Sequence, residues 1–448
     1  MPVGPPTATV TPMIRRSVLL AALGLASLAP AAGAAEYVPG EVIVRYAPGG
    51  RTASAASAEV VAPRTRVLKT RAGQSVAEKA AALRRRPDVL SATPNYVAHA
   101  SYIPNDPGAG TTPTGWQAVQ WNFVGPFGVN APAAWDHVAE AGRPGATGVT
   151  VAVLDTGVAY SDRGPFTRSP DLRGDRFARG YDFIDYDRYP NDYNGHGTHV
   201  ASTIAETIDN GVGVTGLAFG ARIMPVRVLD RYGGGDAAAI SKGIRYAARK
   251  GAAVINLSFE FAPEVTASQI PDILDAVRYA DDKGVLVVGA SGNEHNAVAY
   301  PARAHDVLSV GATTEHGCLA RYSNNGPALD LVAPGGGKDA RLDGDANCRP
   351  SEQRGRDIVQ MTFRPSTGEF GLPAGYKGTS MAAPHVSATA ALVIASGVLG
   401  PDPAPDAIVD RLKGTARDLG VPGPDTLYGA GLLDAAAATL RSPPTSSG

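Results

Sequence analysis

The run from Met381 to Ala395 is apolar on nearly every face. As a helix it must be enclosed on all sides, at the centre of a layered fold and not on its surface. Val149 to Leu154 is of matching character. It is a short, unbroken, β-branched run of the kind found in parallel strands covered on both faces. Ser380 stands just before the helical run, between the glycine turn Gly378-Thr379 and the apolar residues. It therefore falls in the helix's first turn, where unpaired N–H groups and the positive end of the dipole favour negative charge. Pro384 is compatible with a first turn. Taken alone, Ser380 reads as a simple helix cap or as a nucleophile placed where an attacked carbonyl oxygen would be stabilised.

Other parts of the chain favour the nucleophile. Asp155 closes the run 149–154, at the carboxyl end of a strand, where open α/β sheets place their sites. Asp155-Thr-Gly157 is also an aspartic-protease signature, but that chemistry needs a second such carboxylate, and the sequence has no second copy. Asn194-Gly-His-Gly-Thr-His199 opens another helix, with glycines that let backbone approach His196 closely. His196 and His199 lack the intervening glutamate and third ligand of a zinc helix, so His196 reads as a general base and His199 as a packed core residue. Asn293, after the strand Val285–Val288, is a turn residue by itself. Beside Ser380 it becomes an oxyanion donor, together with the Ser380 N–H. Nucleophile, base, acid and oxyanion donor are then all present in Ser380, His196, Asp155 and Asn293.

Asp155-Thr-Gly, Asn194-Gly-His-Gly-Thr-His and Gly378-Thr-Ser-Met-Ala-Ala-Pro-His385, in that order, resemble the three motifs of the subtilisin-like serine proteases, the subtilases. The similarity spans about Gln120 to Ala437. It implies a doubly wound α/β fold with a mainly parallel sheet and helices on both faces. It also implies endopeptidase activity through an acyl-enzyme. By the same matching, Asn256-Leu257-Ser258-Phe259-Glu260 and Gly233-Gly234-Gly235 resemble the two edges that hold substrate, with Ser291 and Gly292 leading into Asn293. Backbone pairing of that kind reads extended peptide and little sequence. Glu260 replaces a usual glycine and faces either solvent or the cleft. Gln120, Asp171 and Asn210, with the carbonyls of Ile208, Val212 and Val214, resemble the ligands of a structural calcium ion. The segment between Pro334 and Ser380 is an insertion. Its Asp343, Asp345 and Asn347 alternate as in a calcium loop but lack the glycine and distal glutamate of an EF-hand, so a solvated surface loop is expected.

The chain of 448 residues carries 41 basic and 42 acidic side chains, a balance with no footprint for nucleic acid. Met13-Ile-Arg-Arg16 and the apolar Ser17–Leu28, before Ala32-Gly-Ala34, form a secretory signal peptide over 1–34. Residues 1–12 lack that organisation, which leaves Met13 as an alternative start. No later stretch has spanning length, so a secreted mature protein without a membrane anchor is expected, and a monomer. Cys318 and Cys348 are the only cysteines, and export favours their pairing over two free thiols. A strand at Glu41–Tyr46, a helix at Val76–Arg86 and an extended Val89–Val97 make a small α+β unit over 35–102. It resembles the family's inhibitor propeptide, which implies an intramolecular inhibitor removed near Tyr102 by self-processing. Residues 103–119 read as an exposed linker, 120–440 as the catalytic domain and 441–448 as a flexible tail. Two other functions fit the same fold. One is a narrow processing protease acting on one surface partner; the other is a catalytically silent binding protein, which would need a broken site.

Overall fold

The computed structural model describes residues 1, 37–48, 59–96, 103–108, 115–342, 345, 347–351, 353–363 and 366–441. Residues 2–34 of the expected signal peptide, the cleavage region 97–102, Asp343 and the tail beyond Arg441 lie outside them. Residues 1–97 and 98–448 form two compact units.

The first unit holds strands β1 (Tyr37–Tyr46), β2 (Glu59–Ala62) and β3 (Thr65–Lys69), helix α1 (Val76–Arg84) and strand β4 (Val89–Tyr96). The sheet is antiparallel in the order β2-β3-β1-β4. Val42, Val44 and Tyr46 alternate toward a small core and meet Val76, Ala80 and Leu83 of α1, so one face of the sheet is covered by the one helix. Ser75 and Glu78 close a capping box at the start of α1, each satisfying a backbone N–H of the other.

The second unit opens with three helices, α2 (Gly115–Val119), α3 (Trp121–Val124) and α4 (Ala131–Glu140). Strands β5 (Thr150–Asp155) and β6 (Tyr181–Asp182), helix α5 (His196–Ala205), strand β7 (Arg222–Arg227), helix α6 (Ala237–Arg249) and strand β8 (Val254–Leu257) follow. After them come α7 (Pro271–Asp281), β9 (Leu286–Ala290), β10 (Leu308–Thr313), β11 (Leu331–Pro334), the short pair β12 (Thr362–Phe363) and β13 (Phe370–Gly371), α8 (Thr379–Ser396), α9 (Pro405–Gly414) and α10 (Ala435–Thr439). Seven of the strands form one parallel sheet, β11-β10-β9-β8-β5-β7-β6. Along β5, Val151 and Val153 enter a core shared with α4, α5 and α8, while Ala152 and Leu154 enter another shared with α6 and α7. Both faces are covered, which is why these strands are unbroken apolar runs instead of alternating ones. The fold is the doubly wound α/β sheet expected. In α8 every residue except Ile394 is buried, and Gly397 ends it in the left-handed conformation at φ 66°.

Three expectations are corrected. Residues 103–119 are not an exposed linker where they are described. Asp106 and Trp116 are fully buried, Trp116 Nε1 donates to the Pro104 carbonyl at 2.8 Å, and Gly108 N–H donates to the Gly213 carbonyl at 2.8 Å. A buried tryptophan anchors what Pro/Gly composition made look loose. The insertion before α8 is not a solvated loop throughout: Ile358, Gln360 and Thr362 are fully buried beside α5. Pro384 lies in the second turn of α8, where it removes the N–H that the Ser380 carbonyl would otherwise accept.

Candidate active site

The chain leaves β5 toward β7 on one side and later returns to β8 on the other, so the sheet order reverses at β5. Strand ends at such a reversal border a crevice. Asp155 ends β5 there, fully buried. Its Oδ1 accepts the Thr156 N–H at 2.7 Å and meets His196 Nδ1 at 2.8 Å. The carboxylate fixes the proton of a neutral ring on Nδ1 and leaves Nε2 as the basic nitrogen. Burial alone lowers the imidazole pKa, but the charge of Asp155 and its hydrogen bond, with smaller contributions from Asp192 and Glu260, hold it above 6.5. The ring keeps 26% of its side-chain surface exposed, so it is open to a reactant.

Asp192, which the sequence reading missed, anchors this corner. It accepts the N–H groups of Asn194, Gly195 and Thr198 and the hydroxyls of Thr156 and Thr198, all at 2.7–3.0 Å. The first turn of α5 is thereby capped from outside the helix, and Gly195 can take φ 100° directly before His196. Thr362 Oγ1 donates to the Gly195 carbonyl at 2.7 Å, so the insertion braces the same turn. His199 is a core residue, as expected: its Nε2 bonds the Ile358 carbonyl at 3.1 Å, its ring stacks on Tyr376 at 4.1 Å, and burial lowers its pKa to about 3.

Asn293 is held against the start of α8. Its Oδ1 accepts the Thr379 N–H at 2.9 Å and the Thr379 hydroxyl at 3.2 Å, while its Nδ2 donates to Glu260 Oε1 at 3.1 Å. Gly292 takes φ 111°, and a Cβ there would be strained and would stand 2.2 Å from Asn324 Nδ2, forcing that side chain to shift. Ser380 is 8% exposed. The carbonyl that Pro384 leaves unpaired is taken by Ser258 Oγ at 2.8 Å, and Asn256 Nδ2 donates to the same Ser258 oxygen at 2.8 Å.

That network corrects part of the expected substrate wall. Asn256 and Leu257 are fully buried in β8, and the Asn256 amide is tied to Ser258 and Ser387, so neither side chain lines a cleft. Ser291 is also buried, its hydroxyl donating to the Asn324 carbonyl at 3.0 Å. Phe259 is 8% exposed, Glu260 is half-buried against Asn293, and Gly233, Gly234 and Gly235 are exposed. Cys318 and Cys348 are joined, with S–S 1.97 Å.

The expected calcium ligands are brought together in part. Asp171 is buried, its Oδ1 accepting Asn210 Nδ2 at 2.7 Å and its Oδ2 the Val214 N–H at 3.2 Å. Gln120 is bonded to the Thr215 backbone, its Nε2 donating at 2.7 Å and its Oε1 accepting at 3.0 Å. Asp106, absent from the expected set, takes the other side of the loop, accepting the N–H groups of Asp209 and Asn210 at 3.1 and 3.2 Å. Burial raises the carboxyls of Asp171, to about 8, and of Asp106 and Glu206; the charge of Asp106 also raises Asp171, and both charges raise Glu206. One Glu206 oxygen is buried without a partner. Among the described residues no three His, Cys, Asp or Glu side chains converge in metal-binding geometry. The donors nevertheless suit a hard cation: buried carboxylates with no ammonium or guanidinium paired to them among the described residues, next to a turn rich in carbonyls.

A serine at a helix N-terminus, a paired histidine and aspartate, and a doubly wound sheet together define the class of α/β serine hydrolases. The chain belongs to the subtilase family, whose model matches residues 146–431, and a model of the fervidolysin N-terminal prodomain matches residues 26–95. It is a subtilisin-like serine protease with an N-terminal prodomain. A thermophilic serine proteinase from Bacillus sp. (strain AK1) is 36% identical over 81% of this chain and 79% of its own. Subtilisin Savinase from Lederbergia lenta is 38% identical over 72% of this chain and 99% of its own. A solved structure of a protease from Pseudoalteromonas arctica superposes with TM-score 0.58 at 30% identity, over 75% of this chain and 98% of that one.

Proposed function

We propose that the chain is a secreted, self-processing endopeptidase in which Ser380, His196 and Asp155 act as one unit. Its main support is the 2.8 Å His196–Asp155 contact at the sheet's switch point. The Ser380 hydroxyl gives its proton to His196 Nε2 as Oγ bonds to the scissile carbonyl carbon. The carbonyl oxygen becomes an oxyanion that accepts from the Asn293 amide and the Ser380 N–H. Collapse breaks the C–N bond, and His196 returns the proton to the leaving amine. Water repeats both steps on the acyl-enzyme to release the acid. Asp155 stabilises the imidazolium throughout and fixes its tautomer.

Backbone pairing along 258–260 and 233–235 would select extended peptide with broad sequence preference. The prodomain is proposed as an intramolecular inhibitor, cut near Tyr102. The signal-like segment 1–34 supports export. A structural calcium ion is inferred at Asp106, Asp171 and Asn210 with the carbonyls of Ile208, Val212 and Val214; bound there, it would supply charge neutralisation and bracing of the 208–214 turn. N-terminal sequencing of wild type and Ser380→Ala after expression in a host lacking other proteases tests self-processing. Wild type should begin near residue 103 and the variant should retain its prodomain. Equal processing of both would refute the proposal.

A further inference from the structure

The Asn293 amide is the one side-chain donor proposed for the oxyanion, and it already has an anionic partner. Its Nδ2 stands 3.1 Å from Glu260 Oε1, within the range of about 2.7–3.1 Å at which such a donor holds an oxyanion. The opposite end of the amide is fixed without help from Glu260, because Oδ1 accepts two bonds from Thr379. Orientation of Asn293 therefore does not require the carboxylate. We propose that Glu260 competes with the substrate's developing oxyanion for the Asn293 amide, a brake that rests on the protease site proposed above and acts through Asn293.

Nδ2 carries two hydrogens, so the contact does not bar an oxyanion outright. It places one negative charge beside the point where another must develop, in a crevice where like charges are poorly screened. The backbone around Glu260 keeps it there. Ser258 is pinned beneath Ser380 by its 2.8 Å bond, and the Phe261 N–H donates to the Tyr300 carbonyl at 2.7 Å. To release the amide, the side chain must rotate or take up a proton.

The groups around Glu260 set when that happens. Glu294 follows Asn293 and accepts the Asn293 backbone N–H and Asn324 Nδ2, both at 3.0 Å. His196 faces Glu260 from α5. Arg321, Lys338, Arg354, Lys377 and His295 line a cavity of about 470 Å³ together with Asn293 and Glu294. Burial, the charge of Glu294 and a hydrogen bond shared with its carboxyl raise the Glu260 carboxyl to about 7, against opposing effects of the Asn293 bond and His196. Glu260 is then neutral, and a weak competitor, below about pH 7, and an anion above it. The brake should tighten on the alkaline side, where His196 is already fully basic.

The test is kcat and KM for an uncharged peptide amide from pH 6 to 9, with Ki for the matching peptide aldehyde, whose tetrahedral adduct needs the oxyanion donor. Wild type, Glu260→Gln and Glu260→Gly are compared, Gln keeping the shape and losing the charge. At pH 9 both variants should exceed wild type in kcat by about fivefold, the size of one partly exposed charge contact, and bind the aldehyde more tightly. At pH 6 the gain in kcat of Glu260→Gln over wild type should be at least about twofold smaller than at pH 9. Parallel pH profiles, or variants slower than wild type throughout, would overturn the proposal; slower variants would make Glu260 a support for Asn293. No hydrolysis by any of the three, with no labelling of Ser380 by a sulfonyl fluoride, would remove the protease reading and the brake with it.

Discussion

The bond between Ser258 and the Ser380 carbonyl gives a stability prediction that can be worked through. In an ordinary helix the Ser380 carbonyl would accept the N–H of residue 384, but residue 384 is proline, and Ser258 Oγ replaces that donor at 2.8 Å. Ser258 is 2% exposed, so water cannot substitute for it. Ser258→Ala leaves the Ser380 carbonyl and one Asn256 N–H buried without partners. Each such group costs about 1–3 kcal/mol, and relief from burying the Ser258 hydroxyl offsets part, which leaves about 2–4 kcal/mol of destabilisation. Pro384→Ala then supplies the missing N–H to the carbonyl and should return about 1 kcal/mol in the Ser258→Ala background. With Ser258 present the carbonyl is already paired, so the same substitution gains less. Changes in unfolded-chain entropy at residue 384 cancel around the double-mutant cycle. The cycle is best measured as unfolding rates in guanidinium, by tryptophan fluorescence, with Ser380→Ala in every protein to suppress self-digestion. Destabilisation by Ser258→Ala below about 0.5 kcal/mol, or a cycle additive within about 0.3 kcal/mol, would refute the exchange of donors.

Further expectations concern the site and its surroundings. Ser380→Ala and His196→Ala should each lower kcat by about 10⁶, the loss known for subtilisin, and combining them should add little, as read by peptide hydrolysis. Asn293→Leu should cost about 10²–10³ in kcat, again as in subtilisin, with KM nearly unchanged. Because Asp155 holds the His196 pKa above 6.5, the acid limb of kcat/KM should fall as pH drops through a value above 6.5; a midpoint below it would contradict the pairing. His385 donates through Nδ1 to the Met381 carbonyl at 2.8 Å, which leaves Nε2 to accept from Asn122 at 2.9 Å; burial lowers its pKa to about 4. Histidine NMR of Ser380→Ala should show that ring neutral at pH 5, with the proton on Nδ1. Calcium at a hundredfold excess over Kd should stabilise the protein by about 2.7 kcal/mol. Asp106→Asn should abolish that gain in thermal unfolding of Ser380→Ala, whereas Gln120→Glu should leave it intact.

The fold was legible because its covered strands and its enclosed helix are written as continuous apolar runs, and few other arrangements bury them. His196 was legible from its glycines, whose purpose shows in the 100° φ of Gly195. The paired Asp155 was legible from its place at a strand's end. What stayed hidden depends on which way a side chain turns. Asn256 and Ser258 stand two apart on the same stretch, and nothing in their order reveals that Asn256 holds Ser258 while Ser258 serves the Ser380 carbonyl. Asp192 and Asp106 are single acids in turn-like segments, and only the backbone N–H groups that converge on them mark them as anchors. Trp116 hid the packed character of its segment behind proline and glycine. Glu260 left two orientations open in the sequence, and the Asn293 contact selects the inward one.

The nucleophile is tested most directly by reacting the purified protein with a sulfonyl fluoride and locating the adduct by peptide mass mapping. One equivalent bound to Ser380, with peptide hydrolysis lost in proportion and no adduct in His196→Ala, is the predicted result. Inactivation with the label on another residue, or full hydrolysis by protein fully labelled at Ser380, would contradict it.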